Sequence, residues 1–141
     1  MKITAVLVVL LILPIGCATL AERSRMEKFR LISESFERAL RTSDYSTAAK
    51  YLDASAANPI ADLKRLRNFK IADYKVARFN VSEDKQEITQ DVELQYFRLN
   101  GNILHNSHYP QTWRFHPEQE VWLLHTGLPR FDSQFPKPRR R

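Results

Sequence analysis

Hydrophobic residues along this 141-residue chain change their spacing twice. An unbroken apolar run, Ala5 to Leu13, comes first. Between residues 21 and 42, Met26, Phe29, Ile32, Phe36, Ala39 and Leu40 recur every three or four positions with Arg and Glu between them, which predicts a helix with one buried stripe. A second, short helix is expected from Ser43 or Asp44, either of which can cap it, carrying Tyr45, Ala48, Ala49 and Leu52. Asn58-Pro59 reads as a cap followed by proline at the first helical position, opening a third helix with Ile60, Leu63 and Leu66. From Phe69 the spacing becomes alternating, and strands are predicted near 69–81, 86–99, 102–116 and 121–125.

The strands also predict their own register. Asn100-Gly101 between apolar runs is the sequence of a two-residue type I′ hairpin, because both positions tolerate positive φ. Folding about it pairs Ile88 with Trp113, Val92 with Tyr109, Leu94 with Ser107 and Tyr96 with His105. A four-residue turn at Pro117–Glu120 sets Phe115 against Trp122 and Trp113 against Leu124. Both hairpins place their large apolar residues on one face, and a slip of one residue would undo that agreement. Pro110 implies a bulge or an edge in the third strand. In the first strand, Tyr74 and Val76 fall out of phase with Phe69, Ile71 and Phe79, which predicts a bulge near Asp73.

The opening run has its own meaning. Lys2 followed by nine apolar residues is a positive region and a hydrophobic core of signal-peptide length, far below the ~20 residues a membrane-spanning helix needs. It ends Leu13-Pro14-Ile15-Gly16-Cys17, and polar sequence follows at once. This segment resembles the lipobox of bacterial lipoproteins, where a small residue precedes a cysteine that is acylated and becomes the mature N-terminus; Pro14 departs from the usual Leu. The resemblance implies a signal peptide over 1–16, lipidation at Cys17 and export to the periplasmic face of a membrane. Ala18, in place of Asp, resembles lipoproteins passed on to the outer membrane. Each acyl methylene contributes ~0.8 kcal/mol, so several chains hold a protein on a membrane durably.

Composition then narrows. The chain carries 22 basic and 16 acidic residues, net +6, but Arg130, Lys137, Arg139, Arg140 and Arg141 against Asp132 supply most of that excess. The body is close to neutral, and a disordered basic tail is expected over 130–141. Such a tail is attracted to anionic surfaces at about 1 kcal/mol per residue near an acidic membrane. Nucleic acid is an unexpected partner for an exported protein. The single Cys excludes an internal disulfide and a multi-cysteine zinc site.

Three helices followed by a long antiparallel meander resemble the nuclear transport factor two-like, or cystatin-like, cone fold over residues 21–129. The resemblance implies an α+β domain at 17–129, with helices on the concave face of a curved sheet of about four strands. It also implies a cavity and a tendency to pair into homodimers. Isomerases and dehydratases occur in that superfamily, and their acids, bases and donors stand on the inward face. It offers Gln90, Gln111, Tyr109, Trp113 and Trp122 as pocket lining. His105 faces Tyr96 and could act as a general base oriented by the phenol. No inward acid falls on the middle strands, and Asp73 and Asp44 are the only acids whose placement would allow it, their facing being left open by the sequence. His105 and His108 lie on opposite faces, His108 pairs with Glu93, and His116 and His125 do not meet in register, so no metal site and no cofactor are expected. The preferred reading is a lipid-anchored, non-enzymatic binding or assembly module of the cell envelope, taking an envelope protein or a small apolar ligand. The alternative is a small isomerase- or dehydratase-like enzyme.

Overall fold

The computed structural model describes residues 15–55 and 59–131. The apolar leader with Leu13 and Pro14, the Asn58 cap and the tail from Asp132 lie outside the described residues. Helix α1 runs Ile15–Arg41, α2 Tyr45–Ala49 and α3 Pro59–Leu66. The strands β1 (Phe69–Val81), β2 (Glu87–Arg98), β3 (His105–His116) and β4 (Val121–Leu124) form one antiparallel sheet in the order β1-β2-β3-β4. The helices pack on one face of this open sheet, an α+β arrangement.

Helix α1 ends in a turn that a glycine usually makes. Ser43 takes φ of 61°, its N–H donates to the Leu40 carbonyl at 3.2 Å, and the Asp44 N–H donates to Ala39 at 2.9 Å. The cap of α2 is Asp44, whose Oδ1 accepts the Thr47 N–H at 3.1 Å. The stripe of α1 is buried as its spacing required: Phe29, Phe36, Ala39 and Leu40 enter the core. There they meet the sheet residues Ile88, Val92, Leu94, Trp113, Trp122 and Leu124.

The predicted pairings hold in both hairpins, including Ile88 with Trp113 and Phe115 with Trp122. The β2–β3 turn does not follow the type I′ expectation. Pairing stops at Tyr96 and His105, and neither Asn100 nor Gly101 has positive φ. Instead the Leu99 N–H donates to the Asn68 carbonyl at 2.9 Å, and Gly101 N–H closes onto Arg98 at 2.9 Å. A backbone donor satisfied by the neighbouring segment outweighs the local turn preference. In β1 the register shifts between Ile71 and Asp73 as expected, and again between Val76 and Arg78. The second shift was not foreseen. It is what keeps Phe79 and Val81 on the same face as Tyr74 and Val76. Pro110 lies beyond the end of β4, where β3 is itself an edge and a missing N–H breaks no ladder with β4.

Two further contacts tie segments outside the named helices and strands to the core. A parallel bridge joins Leu52 to Leu124, with Asp53 N–H donating to the Leu124 carbonyl at 2.9 Å. At the other end Leu128 and Phe131 are buried, Phe131 stacking on Tyr96 at 3.9 Å between centroids. Packing against the sheet thus continues through Phe131. Replacing Phe36 by Ala should lower unfolding free energy by about 3–5 kcal/mol, whereas the exposed Leu104→Ala should stay within about 0.5 kcal/mol. Urea denaturation of both variants checks this, and equal midpoints would contradict the packing.

Candidate functional site

The inward polar residues of the sheet satisfy one another. Gln90 and Gln111 sit opposite across β2 and β3, and the Gln90 amide donates to Gln111 Oε1 at 2.5 Å. The same oxygen accepts the Trp113 indole N–H at 2.9 Å, and Gln111 Nε2 donates to the Tyr74 hydroxyl at 2.8 Å. Trp113 and Trp122 are wholly buried, and Trp122 Nε1 donates to the Arg25 carbonyl of α1 at 3.0 Å. Tyr109 donates to the Gly127 carbonyl at 2.5 Å. Of the five residues expected to line a pocket, the two tryptophans and Tyr109 thus serve as packing.

His105 and Tyr96 are brought together, but ring against ring. Their centroids lie 5.5 Å apart at an interplanar angle of 27°. The opposite face of Tyr96 is covered by Phe131, and Phe69 meets it edge-on at 5.9 Å. The two acids whose facing the sequence left open, Asp73 and Asp44, are both exposed. The buried acid is Asp62 on α3, 1% exposed, paired with Arg65 and 3.9 Å from Arg130. It stands on helix α3, where the alternation of the strands gives no sign of it.

A wide opening lies elsewhere, between α1 and the far half of β1. It is a groove of about 940 Å³. Met26, Phe29, Val76, Phe79, Val81 and Gln90 contribute its floor, and Glu22, Arg23, Glu27, Arg30 and Lys85 its rim. The second bulge of β1 builds this floor, since it turns Phe79 toward α1, 5.9 Å from the Phe29 ring. Phe79 and Val76 stay 51% and 42% exposed, so part of this apolar surface is left uncovered by the described residues. Apart from Arg23, the rim charges are paired: Arg30 with Glu27 at 2.6 Å and Glu34 at 2.7 Å, and Lys85 with Glu22 at 2.5 Å. An apolar floor inside a mostly paired polar rim is the usual make-up of a site for an apolar group.

On the opposite face of the sheet His116 and His125 meet, against expectation. Their Nε2 atoms are 3.3 Å apart, and Asp53 Oδ2 lies 3.5 Å from each. His116 stands opposite Val121, and His125 N–H is held by the Thr112 carbonyl at 2.8 Å, so the imidazoles reach along the outer face. Asp53 arrives from the segment after α2 through the Leu52–Leu124 bridge, a contact that no local spacing announces. Its Oδ1 accepts the Ser55 hydroxyl and the Ser55 N–H at 2.8 Å. These bonds, the hydroxyl first, hold the Asp53 carboxyl below its ordinary pKa, while desolvation pulls that of His125 down. His108 stands opposite Glu93 as expected, but its ring contacts Asp91 at 3.4 Å, and Glu93 takes Lys75 at 3.7 Å.

The described residues thus define a class of α+β proteins with helices on one face of a four-stranded antiparallel sheet. A solved structure similar to this chain is the solution structure of a SEC-C motif containing protein from Rhodopseudomonas palustris, with 11% identity and a TM-score of 0.53. The likeness covers 66% of this chain and 71% of that one, and at such identity it bears on the fold alone. No protein-family model matches the chain, and neither does any curated protein. Among the described residues, no helix is long and apolar enough to cross a membrane.

Burial raises the pKa of Tyr45, Tyr74, Tyr96 and Tyr109, desolvation being the first cause in each. Up to about pH 10 both the folded and unfolded chains keep these protons; above it the unfolded chain ionises first, so stability should fall as pH rises past about 10. Phenolate absorbance of the folded protein should lag behind that of the denatured chain. Coincident titrations would contradict the buried placement.

Proposed function

We propose that this chain is a lipid-anchored lipoprotein of the bacterial envelope, facing the periplasm, whose domain is a non-enzymatic binding module of the cone-like, nuclear transport factor two-like type. The observation that carries the reading is the position of the apolar groove relative to the lipobox cysteine. Cys17 lies within α1, and Glu22 of the groove rim follows it by five residues, about 7.5 Å of helix rise. A chain acylated at Cys17 would present the groove close to the membrane that holds it. An apolar group of a neighbouring envelope component would lose water contact against Phe79 and Val76, worth roughly 25 cal/mol per Å² buried.

The enzymic alternative receives less support. Catalysis by His105 would need the phenol of Tyr96 to orient the imidazole by a hydrogen bond, and the two rings lie instead nearly face to face within an aromatic stack. The polar groups of the inner face are spent on one another, and Gln111 uses its carbonyl oxygen twice.

Cys17→Ser should leave the protein unacylated by intact mass and move it from the membrane to the soluble fraction; unchanged fractionation would refute the anchor. Phe79→Asp, at a half-exposed position, should keep the melting temperature within a few degrees. It should also abolish the fluorescence gain of an apolar dye such as N-phenylnaphthylamine, and undiminished dye binding would refute the groove.

A further inference from the structure

We infer that Asp53, His116 and His125 form a binding site for one zinc ion on the outer face of the sheet. The three donor atoms, two imidazole Nε2 and one carboxylate Oδ2, are separated by 3.3, 3.5 and 3.5 Å. A zinc ion about 2.1 Å from all three atoms, within the range of zinc bonds to imidazole nitrogen and carboxylate oxygen, would stand roughly 0.7 Å above the plane of that triangle. Ligands of a tetrahedral ion with such bonds stand roughly 3.4 Å apart, whereas neighbouring ligands of an octahedral ion of equal bond length stand closer, at about 3.0 Å. The spacing therefore selects a four-coordinate ion, and the two-nitrogen, one-oxygen donor set suits borderline zinc better than magnesium or calcium.

The donors come from three different places that the backbone locks together. His116 ends β3, His125 follows β4 and is tied to Thr112, and Asp53 is tied to Leu124. The imidazole planes are within 10° of parallel with centroids 5.6 Å apart, so the two Nε2 atoms are the nearest parts of the rings. Without a metal the two nitrogens share an N–H···N contact, and an ion bound beside Asp53 would take the place of that proton. Ser55 fixes the remaining carboxylate oxygen, as outer partners of metal ligands do. Side-chain exposures of 34%, 17% and 14% for His116, His125 and Asp53 let water reach a fourth position. Arg114, the cation nearest on this face, is already occupied by Glu87 at 2.8 Å.

The test uses the untagged full-length chain in detergent, stripped with chelator and titrated with zinc, and in parallel with cobalt as a spectroscopic probe. One equivalent should bind, cobalt should show the intense visible bands of a four-coordinate ion, and zinc should raise the melting temperature. His116→Asn and the near-isosteric Asp53→Asn should each weaken zinc binding at least tenfold, while His108→Asn should leave it unchanged. Unfolding curves without metal verify that each variant folds. Absence of saturable uptake, faint six-coordinate cobalt bands, or unchanged affinity in both ligand variants would overturn the site.

Discussion

The structure depends on the packing of one helix against two indoles. Phe29 meets Trp113 and Trp122 edge-on at 5.8 and 5.3 Å, and Phe36 meets Trp113 at 5.3 Å. Such contacts add about 0.5–1.5 kcal/mol per pair beyond the area they bury. The Trp122 N–H bond to the Arg25 carbonyl fixes α1 along its axis as well as across it. Arg25 reaches on to the Asp84 and Lys85 carbonyls of the β1–β2 turn and covers Phe115 at 4.7 Å. Once α1 is seated this way, its N-terminal turns stand over the far end of β1, and the groove is the space they leave.

The same packing divides the sheet into two surfaces with different tasks. Its inner face is closed by aromatic rings and by a glutamine pair whose hydrogen bonds are made internally, leaving the apolar opening only toward the start of α1 among the large cavities described. Its outer face is polar and carries the two histidines with Asp53. The groove adjoins the proposed anchor, and the histidine cluster lies at the β4 side, so neither feature needs the other to function.

Much of this was legible in the sequence, for identifiable reasons. Trp113, Phe115, Trp122 and Leu124 alternate so strictly that one register buries them all, and the helix stripe from Phe29 to Leu40 needed no knowledge of its partner. The Asn-Gly turn misled because its donor had a better offer from Asn68, on a segment thirty residues away. The second bulge of β1 was hidden, since one shift already reconciled Tyr74 and Val76 with the strand start, and its purpose becomes visible only when Phe79 must face α1. Asp53 joins His116 and His125 through a bridge between the exit of α2 and β4. Such a contact joins residues distant in sequence and leaves no periodicity to read.

On the proposed function, the groove beside Cys17 is the surface that would meet an envelope component. A photoreactive phenylalanine analogue placed at Phe79 in living cells tests it most directly, with Thr89 on the outer face as the comparison. The account predicts a discrete crosslinked product from position 79 that disappears when Cys17 is Ser. Equal products from both positions, or none from position 79 in membrane-bound protein, would contradict it.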